Sequence, residues 1–331
     1  MQVKDIGEQG LLRILQKFCP AEIVGDDCAV MATNPNQSLA ITTDMLVDGV
    51  HFSDRTTGPY YAGWRAAAAN LSDLAAMGAQ PLAVTVALAV AGDTAVEWVE
   101  EFYRGMTACL QEYDTPIVGG DVVRSPVVTV AITAFGQVEC DRTISRSNAR
   151  SGWAIVATGV HGASRAGLEL LLNPEFGQNL EKVDRASLIL AHQSPKPRLD
   201  VLPVVWEIFG VEGEFCIAGM DSSDGLADAI VQICRASGVG AKVDRTKIPI
   251  PDIFSEIVST EKALDWALYG GEDFELVLFL PITSAHLLVK KIGNGAAIVG
   301  TATDSTDIWL TDSSGIYPDT VLKLDRGFQH F

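Results

Sequence analysis

The residues best suited to chemistry in this sequence are carboxylates that recur where strands are predicted to end and helices to begin. They are Asp27, Asp44, Asp73, Asp121, Asp221, Asp224 and Glu272. If they converge, two carboxylates about 4 Å apart repel by about 4 kcal/mol at an effective dielectric constant of 20. Too few Lys and Arg residues lie in these segments to neutralise them. Hard divalent cations would do so, and Asp, Ser and Thr oxygens suit Mg2+. The pattern therefore favours a polyphosphate held by several Mg2+ ions.

The common nucleotide-binding motifs are absent from the sequence. It contains no G-x-x-x-x-G-K-[ST] loop, no protein-kinase H-R-D or D-F-G segment and no G-x-G-x-x-G turn. A nucleotide site in this chain would therefore hold phosphates through metal ions instead of through a glycine loop with a lysine.

Asp73 lies within residues 66–81 (AAAANLSDLAAMGAQP), which predict an alanine-rich helix that stops near Gly78. No Lys or Arg lies within one turn of Asp73 on this helix. A buried carboxylate without a partner is very costly, so a buried Asp73 would need a partner from another segment. An exposed Asp on a surface helix is the alternative, and this stretch alone does not decide between the two.

Three further acids of the N-terminal half follow or interrupt apolar segments. Residues 39–43 predict a strand that ends in two threonines and Asp44, and strand ends often carry chemistry in α/β sheets. A strand over residues 115–121 delivers Gly-Gly-Asp121, where paired glycines let the backbone approach a ligand. Asp27 interrupts another apolar segment, where a simple Gly-Asp turn is the alternative interpretation.

In the C-terminal half, Asp221 and Asp224 flank two serines before Gly225 opens a predicted helix. Helix capping would account for one of these acids but not for both. The polar segment 143–152 contains two arginines and precedes a new apolar strand, so we place a domain boundary there, with domains at 1–148 and 149–331. A solvated linker is the alternative interpretation of that segment.

The composition narrows the class of protein. A chain of 331 residues suits two domains, and a formal net charge of −18 argues against nucleic acid and anionic lipid as partners. No run of about 18 apolar residues predicts a membrane span, and the N-terminus has no signal-peptide pattern. Six scattered cysteines without a C-x-x-C pair fit reduced thiols, so we expect a cytoplasmic protein.

Seven motifs occur together in one order along the chain. They are residues 25–29 (GDDCA), 42–44 (TTD), 48–52 (DGVHF), 70–78 (NLSDLAAMG), 119–121 (GGD), 223–225 (SDG) and 270–274 (GGEDF). This ordered set resembles the thiamine-monophosphate kinase family of the aminoimidazole-ribonucleotide-synthetase-like ATP-binding superfamily. The resemblance extends from about residue 5 to the terminal Gly-Phe-Gln-His-Phe.

The resemblance implies an α/β (α+β) fold of two domains. The N-terminal domain would have a mixed sheet, bind ATP and Mg2+ and form a barrel with its twin in a homodimer. The α/β C-terminal domain would complete the substrate site. The implied reaction is direct, Mg2+-dependent transfer from ATP to thiamine monophosphate, which gives ADP and thiamine diphosphate.

The resemblance also implies roles for individual residues. Mg2+ would be held by Asp27, Thr42, Thr43, Asp44, Asp73, Asp121, Asp221 and Asp224. ATP would contact Tyr103, Gly120, Asp121, Arg146 and Ser223. Thiamine monophosphate would contact His51, Glu272 and Phe328. No residue is predicted to act as an acid or base, because in-line phosphoryl transfer depends mainly on positioning and charge neutralisation.

Two departures from the family pattern and three rival functions bear on this prediction. Ser222 stands where the family usually has an apolar residue, and Phe328 stands where Tyr or Trp is common. The selenophosphate-synthesising branch would need a reactive Cys near the N-terminus, before a Lys-rich glycine loop, and the hydrogenase-maturation branch a Cys-bearing tail. Neither pattern occurs. A non-catalytic nucleotide- or metal-binding protein would lack the acceptor-side residues, which are present.

Overall fold

The computed structural model describes residues 1–20, 31–210, 215, 217–293, 295–324 and 327. The helices are α1 Val3–Leu15, α2 Pro59–Ala76, α3 Val96–Gln111, α4 Ala163–Leu172, α5 Lys182–Gln193, α6 Val201–Phe209, α7 Leu226–Ser237, α8 Phe254–Ile257, α9 Thr260–Tyr269 and α10 Ile282–Ile292. The strands are β1 Gln37–Val47, β2 Gln80–Val90, β3 Ile117–Arg124, β4 Thr129–Glu139, β5 Ala154–Ala157, β6 Ala218–Asp221, β7 Gly240–Asp244, β8 Leu276–Leu280, β9 Ala297–Thr303, β10 Ile308–Thr311 and β11 Thr320–Val321. Among the described helices, none combines the length and apolar character that a bilayer crossing needs.

The chain divides into two compact units. The first unit comprises residues 1–74 and 79–140, and the second comprises residues 75–78 and 141–331. Each unit has its own mixed sheet. The helix predicted around Asp73 is present, but it begins at Pro59 instead of residue 66. Proline is well tolerated at the first position of a helix, where its missing N–H is not needed.

The sheet of the first unit has the strand order β1-β4-β2-β3, in which only β2 and β3 run parallel. Its register sorts side chains onto two faces, because successive residues of a strand point to opposite sides. Asp44 pairs with Ile132, which pairs with Val86, and these two apolar side chains are buried. One face of the sheet is therefore the core face of this unit.

The opposite face of the same sheet is open. Large apolar side chains on it are markedly exposed: Leu39 48%, Ile41 59%, Met45 56% and Val123 52%. Exposed apolar side chains that share one face of a sheet are typical of an interaction surface.

Helices α2 and α3 cross at two glycines. A Cβ atom at Gly63 would lie 1.9 Å from the carbonyl oxygen of Phe102, and one at Gly105 would lie 1.7 Å from that of Tyr60. Any larger residue would push the helices apart, because real Cβ atoms do not approach an oxygen so closely. This crossing fixes α2, the helix that carries Asp73.

The sheet of the second unit has the order β11-β10-β7-β9-β5-β8-β6. Every residue of β5, β6 and β8 is buried, as expected for strands covered on both faces. Alternate residues of β5 and β8 enter two separate apolar clusters, one of which includes α7 and the other α6 and α10. A third cluster joins α4, α5 and α9.

Candidate active site

Three of the predicted metal ligands lie together in the first unit. Thr42 and Asp44 alternate along β1 and therefore share the core face of the sheet. The hydroxyl group of Thr42 donates a hydrogen bond to Oδ2 of Asp73 on α2. The Asp44 N–H donates to Oδ1 of Asn70, one turn earlier on the same helix, at 3.2 Å. The partner that Asp73 was predicted to need is thus supplied by β1.

His51 lies in the turn that follows β1. The ring Nδ1 of His51 accepts a hydrogen bond from the Val47 N–H at 3.0 Å, and the backbone N–H of His51 donates to the Val47 carbonyl at 2.9 Å. An accepting Nδ1 places the proton of a neutral ring on Nε2. The turn therefore presents His51 as a fixed Nε2–H donor a few residues from Asp44.

Thr43 and Asp121 lie on the open face of the sheet. Thr43 Oγ1 is 2.8 Å from Thr133 Oγ1, its cross-strand neighbour. Asp121 pairs across the sheet with Ala87, which pairs with Ala131, which in turn pairs with Met45. The Oδ1 atom of Asp121 accepts a hydrogen bond from the Val122 N–H at 2.9 Å. The first unit thus places these two side chains on the opposite side of the sheet from Thr42, Asp44 and Asp73.

Gly120 and Tyr103 have structural roles in addition to their predicted contacts with ATP. A Cβ atom at Gly120 would lie 2.0 Å from the Val86 carbonyl oxygen of the adjacent strand, so the pairing of β3 with β2 already requires glycine. The Tyr103 ring is 4% exposed and lies 5.5 Å from the Phe18 ring and 6.1 Å from that of Phe102. Burial, with a smaller contribution from Cys19, raises the pKa of the Tyr103 hydroxyl.

In the second unit, Asp221 ends β6 and Ser223 follows in the loop before α7. The Ser223 hydroxyl donates to Oδ1 of Asp221 at 3.0 Å, and Asp221 is buried whereas Asp224 is exposed. The N-cap of α7 is Gly225, which has a φ angle of 106° and no side chain with which to cap. Neither Asp221 nor Asp224 is the N-cap of this helix, so capping explains neither acid.

Glu272 is held by the same loop. Its N–H donates to the Ser223 carbonyl at 2.7 Å, and the Ser222 N–H donates to the Glu275 carbonyl at 2.8 Å. A Cβ atom at Gly271 would lie 2.8 Å from the Ser223 carbonyl oxygen. Residues 221–225 and 270–275, which we call the paired loops, are therefore fastened to one another through their backbones.

Arg146 lies in a short 3-10 turn, Arg146–Asn148, in the second unit. Its Nη1 donates to Oε1 of Gln232 at 2.9 Å, and Nε2 of Gln232 donates to Asp228 at 2.6 Å. Both partners lie on α7, the helix that follows Asp221, Ser223 and Asp224. The solvated-linker interpretation does not account for these contacts.

His161 was not predicted as a site residue, yet it contacts the paired loops. Its Nδ1–H donates to the Gly159 carbonyl at 3.1 Å, and its Nε2 lies 3.1 Å from the hydroxyl of Ser222. The ring is fully buried, and burial lowers the pKa of His161 to about 4, opposed by the bond to Gly159. The neutral Nε2 therefore accepts from Ser222, the residue that departs from the family pattern.

Asp273, the aspartate of the GGEDF motif, has a structural role. Its two carboxylate oxygens accept the N–H groups of Gly162 at 2.7 Å and Ser164 at 2.9 Å, at the start of α4. Burial raises the pKa of Asp273 to about 7, although the two backbone hydrogen bonds act in the opposite direction. Glu275 accepts from Thr158 at 2.6 Å and from Arg198, and burial is the largest cause that raises its pKa.

The described residues contain no group of three or more His, Cys, Asp or Glu side chains that could hold a metal ion. What the first unit offers is an oxygen set of two carboxylates and a hydroxyl, from Asp44, Asp73 and Thr42, which suits Mg2+ better than a softer metal. Asp27 and Phe328 lie outside the described residues.

A cavity of about 850 Å3 lies elsewhere in the first unit, where the start of α1 faces the ends of β2 and β3. It is lined by apolar residues and by charges of both signs, including Lys4, Glu8 and Arg124. None of the predicted site residues is among the described residues that line it.

Comparisons with known proteins agree with the motif set. The family described as AIR synthase related protein, N-terminal domain, matches residues 25–138. The thiamine-monophosphate kinase of Synechococcus elongatus is 48% identical over 329 residues, which cover 99% of this chain and 98% of that protein.

Solved structures give the same result. The crystal structure of the thiamine-monophosphate kinase from Stenotrophomonas maltophilia has a TM-score of 0.76 and 32% identity, and covers 86% of this chain and 88% of its own. AaThiL complexed with AMPPCP and TMP has a TM-score of 0.71 and 29% identity, and covers 98% of this chain and 99% of its own. Because the relatives match along almost the whole chain in both sequence and fold, this protein belongs to the thiamine-monophosphate kinase family.

Proposed function

We propose that this protein transfers the γ-phosphoryl group of ATP to thiamine monophosphate and so forms thiamine diphosphate and ADP. The observation that carries the proposal is the 48% identity to a thiamine-monophosphate kinase along 99% of the chain. The likeness to a structure complexed with AMPPCP and TMP supports a site for a nucleotide together with a second ligand.

The reaction forms a bond from an oxygen of the acceptor phosphate to the γ-phosphorus and breaks the bond from that phosphorus to the bridging oxygen of ADP. The second pKa of a phosphate ester is about 6, so the acceptor oxygen is largely deprotonated at neutral pH. The chain therefore needs no general base. Its task is to align two anions and offset their repulsion.

Mg2+ ions held by the carboxylates would offset the repulsion between the two anionic substrates. When bound, Mg2+ would supply the positive charge that a chain of net charge −18 lacks near a triphosphate. In the first unit, Thr42, Asp44 and Asp73 supply oxygens from one face of the sheet. The remaining proposed ligands are Asp27, Asp221 and Asp224, together with Thr43 and Asp121, which lie on the opposite face of that sheet and would serve a different Mg2+ ion.

Distinct residues would contact the two substrates. ATP would contact Tyr103, Gly120, Asp121, Arg146 and Ser223. Thiamine monophosphate would contact His51, Glu272 and Phe328. The thiazolium ring of thiamine is cationic, so the Glu272 carboxylate and an aromatic ring are suitable neighbours. The Nε2–H of His51 is a suitable donor to a phosphate oxygen.

The domains would divide these tasks. Residues 1–148 would bind ATP and Mg2+ and form the homodimer, and residues 149–331 would complete the substrate site. We propose that the open face of the first sheet is the dimer surface, where it would form a barrel with its twin. Exposed apolar side chains on that face support this arrangement. We also propose that the protein acts in the cytoplasm.

One turnover assay tests the function. The protein is incubated with ATP and either thiamine monophosphate or thiamine, with Mg2+ or with EDTA, and the thiamine products are separated and quantified. We expect thiamine diphosphate from thiamine monophosphate only with Mg2+, and poor use of thiamine. A preference for thiamine, or turnover that persists in EDTA, would contradict the proposal.

A further inference from the structure

The loop that carries Glu272 has an unusual backbone. Gly271, Glu272 and Phe274 have φ angles of 67°, 61° and 52°. Residues other than glycine rarely adopt positive φ, and they keep it only where the surrounding structure holds them there. The contact of Glu272 N–H with the Ser223 carbonyl, at 2.7 Å, fixes the backbone of this residue.

The side chain of Glu272 has a buried neighbour. Its Oε2 lies 3.6 Å from Nδ1 of His192, in the last turn of α5. The His192 side chain is 3% exposed, whereas that of Glu272 is 35% exposed. The carboxylate therefore extends from a buried imidazole toward solvent, where a ligand can meet it.

The imidazole is itself held in place. Its Nδ1 lies 3.2 Å from the hydroxyl oxygen of Ser164, and the Ser164 N–H donates to Asp273 at 2.9 Å. The Glu272 carboxylate, at 3.6 Å, is beyond hydrogen-bond distance of Nδ1, whereas Ser164 is within it. The negative charge of the carboxylate favours a proton on the facing Nδ1, and the serine oxygen can accept a hydrogen bond from that proton. Asp273 follows Glu272 in the chain, which closes a ring of contacts through Ser164 and His192.

We propose that His192 is a positioning residue for the reaction: its buried imidazole, with Nδ1 3.6 Å from Oε2, holds the Glu272 carboxylate by packing and electrostatic attraction in the orientation that meets the cationic acceptor. This inference rests on the proposed function, which assigns Glu272 to thiamine monophosphate. A carboxylate already oriented binds a cation without first losing the rotational freedom of its side chain. His192 thus acts on acceptor binding through Glu272, without touching the acceptor.

The test compares substitutions that keep or remove a donor at the Nδ1 position. Asparagine places its amide nitrogen near the position of Nδ1, whereas glutamine places it nearer Nε2 and leucine has no donor. We expect His192→Leu and His192→Gln to raise the KM for thiamine monophosphate roughly three- to fivefold, the factor of one lost electrostatic contact with a partly exposed carboxylate. His192→Asn should stay within about twofold of the wild type, and the KM for ATP should change little in all three.

A double-mutant cycle separates positioning from a general structural role. In a Glu272→Gln background, His192→Leu should raise the acceptor KM by less than about twofold, because its target is already altered. An equal rise in both backgrounds, or an equal rise in the KM for ATP, would overturn the inference. If the leucine variant does not fold, the asparagine and glutamine variants give the same comparison. Absence of turnover in the wild type would instead reject the proposed function.

Discussion

The candidate site residues of the two units are held in different ways. In the first unit, Asp44 lies on a continuous strand and Asp73 on a continuous helix, and hydrogen bonds at Thr42 and Asn70 join the two elements. In the second unit, Asp221 and Glu272 lie in the paired loops, which are joined by backbone hydrogen bonds. Strand β1 and helix α2 are also held by the pairing with β4 and by the crossing with α3, whereas the paired loops hold one another through the backbones of the residues near the acids.

Loss of a first-unit carboxylate should therefore abolish activity without unfolding the protein. We expect Asp44→Ala and Asp73→Ala each to lower kcat by at least ~100-fold, as for the loss of one group that stabilises the transition state. Thermal unfolding should change little. Asp54→Ala, at an exposed acid of the same unit, is the matched control and should keep wild-type turnover. Near-normal kcat in both site variants would remove these residues from the site.

The two faces of the first sheet should also respond differently to charge. Ile41→Lys places an ammonium group on the open face, and burial of an unpaired charge costs several kcal/mol, so the dimer Kd should rise at least ~100-fold. Sedimentation equilibrium of the variant should then show monomers. Val183→Lys, at a residue of α5 that is 67% exposed, should leave the association unchanged. Equal association of both variants would show that the open face is not the dimer surface.

Asp273 should make the stability of the second unit depend on pH. Its pKa is about 7 in the folded protein and near 3.8 when unfolded, so the folded state binds the extra proton between these values. The free energy of unfolding should fall, by an amount on the order of a few kcal/mol, as the pH rises from about 4 to about 7. Asp273→Asn should lack this fall.

Denaturant titrations of the wild type and of Asp273→Asn across that pH range measure the difference in their free energies of unfolding. His161 contributes equally to both, with the opposite sign, since its lowered pKa costs stability as the pH falls from 6.5 toward 4. A wild type that gains stability over Asp273→Asn as the pH rises would show that the two backbone hydrogen bonds outweigh burial.

The contact of Ser222 with His161 should contribute less to the free energy of unfolding than the protonation of Asp273. Ser222→Ala leaves the buried Nε2 without a donor, so we expect the free energy of unfolding to fall by about 1–3 kcal/mol. Ser255→Ala is the matched control, because it removes an exposed hydroxyl that donates a hydrogen bond to the Asp252 carbonyl. Equal effects of the two substitutions would mean that the His161 contact contributes nothing specific.

Residues close in sequence could be predicted well. The helix around Asp73 and a strand at residues 39–43 follow from local pattern, and both occur. The predicted end of that strand at Asp44 is wrong, because β1 continues to Val47 and Asp44 lies within it. Asp73, for which local pattern left burial open, is half-buried and accepts a hydrogen bond from Thr42. The alanine-rich pattern predicts a start near residue 66, whereas α2 begins at Pro59, and a proline is a recognised signal at the first position of a helix. The mixed α/β character was predicted, and the two mixed sheets confirm it.

Contacts between distant segments could not be predicted in the same way. Asp273 accepts N–H groups from residues more than 100 positions earlier, and Ser222 meets a histidine 61 positions away. These pairings depend on the order of strands in the second sheet, which local pattern does not specify. A lone buried histidine has no sequence signal of its own, so local pattern does not predict the contacts of His161 and His192. The roles of individual site residues toward Mg2+, ATP and the acceptor stay predictions.

The dependence of the initial rate on Mg2+ concentration tests the central claim, that carboxylates of both units serve one Mg2+-nucleotide reaction. Thiamine diphosphate formation is measured for the wild type and for Asp73→Asn, Asp224→Asn and Glu272→Gln. We predict that both aspartate variants need more Mg2+ for half-maximal rate, whereas Glu272→Gln raises only the KM for thiamine monophosphate. Unchanged Mg2+ dependence in both aspartate variants would contradict the account, and so would a shifted Mg2+ dependence in Glu272→Gln.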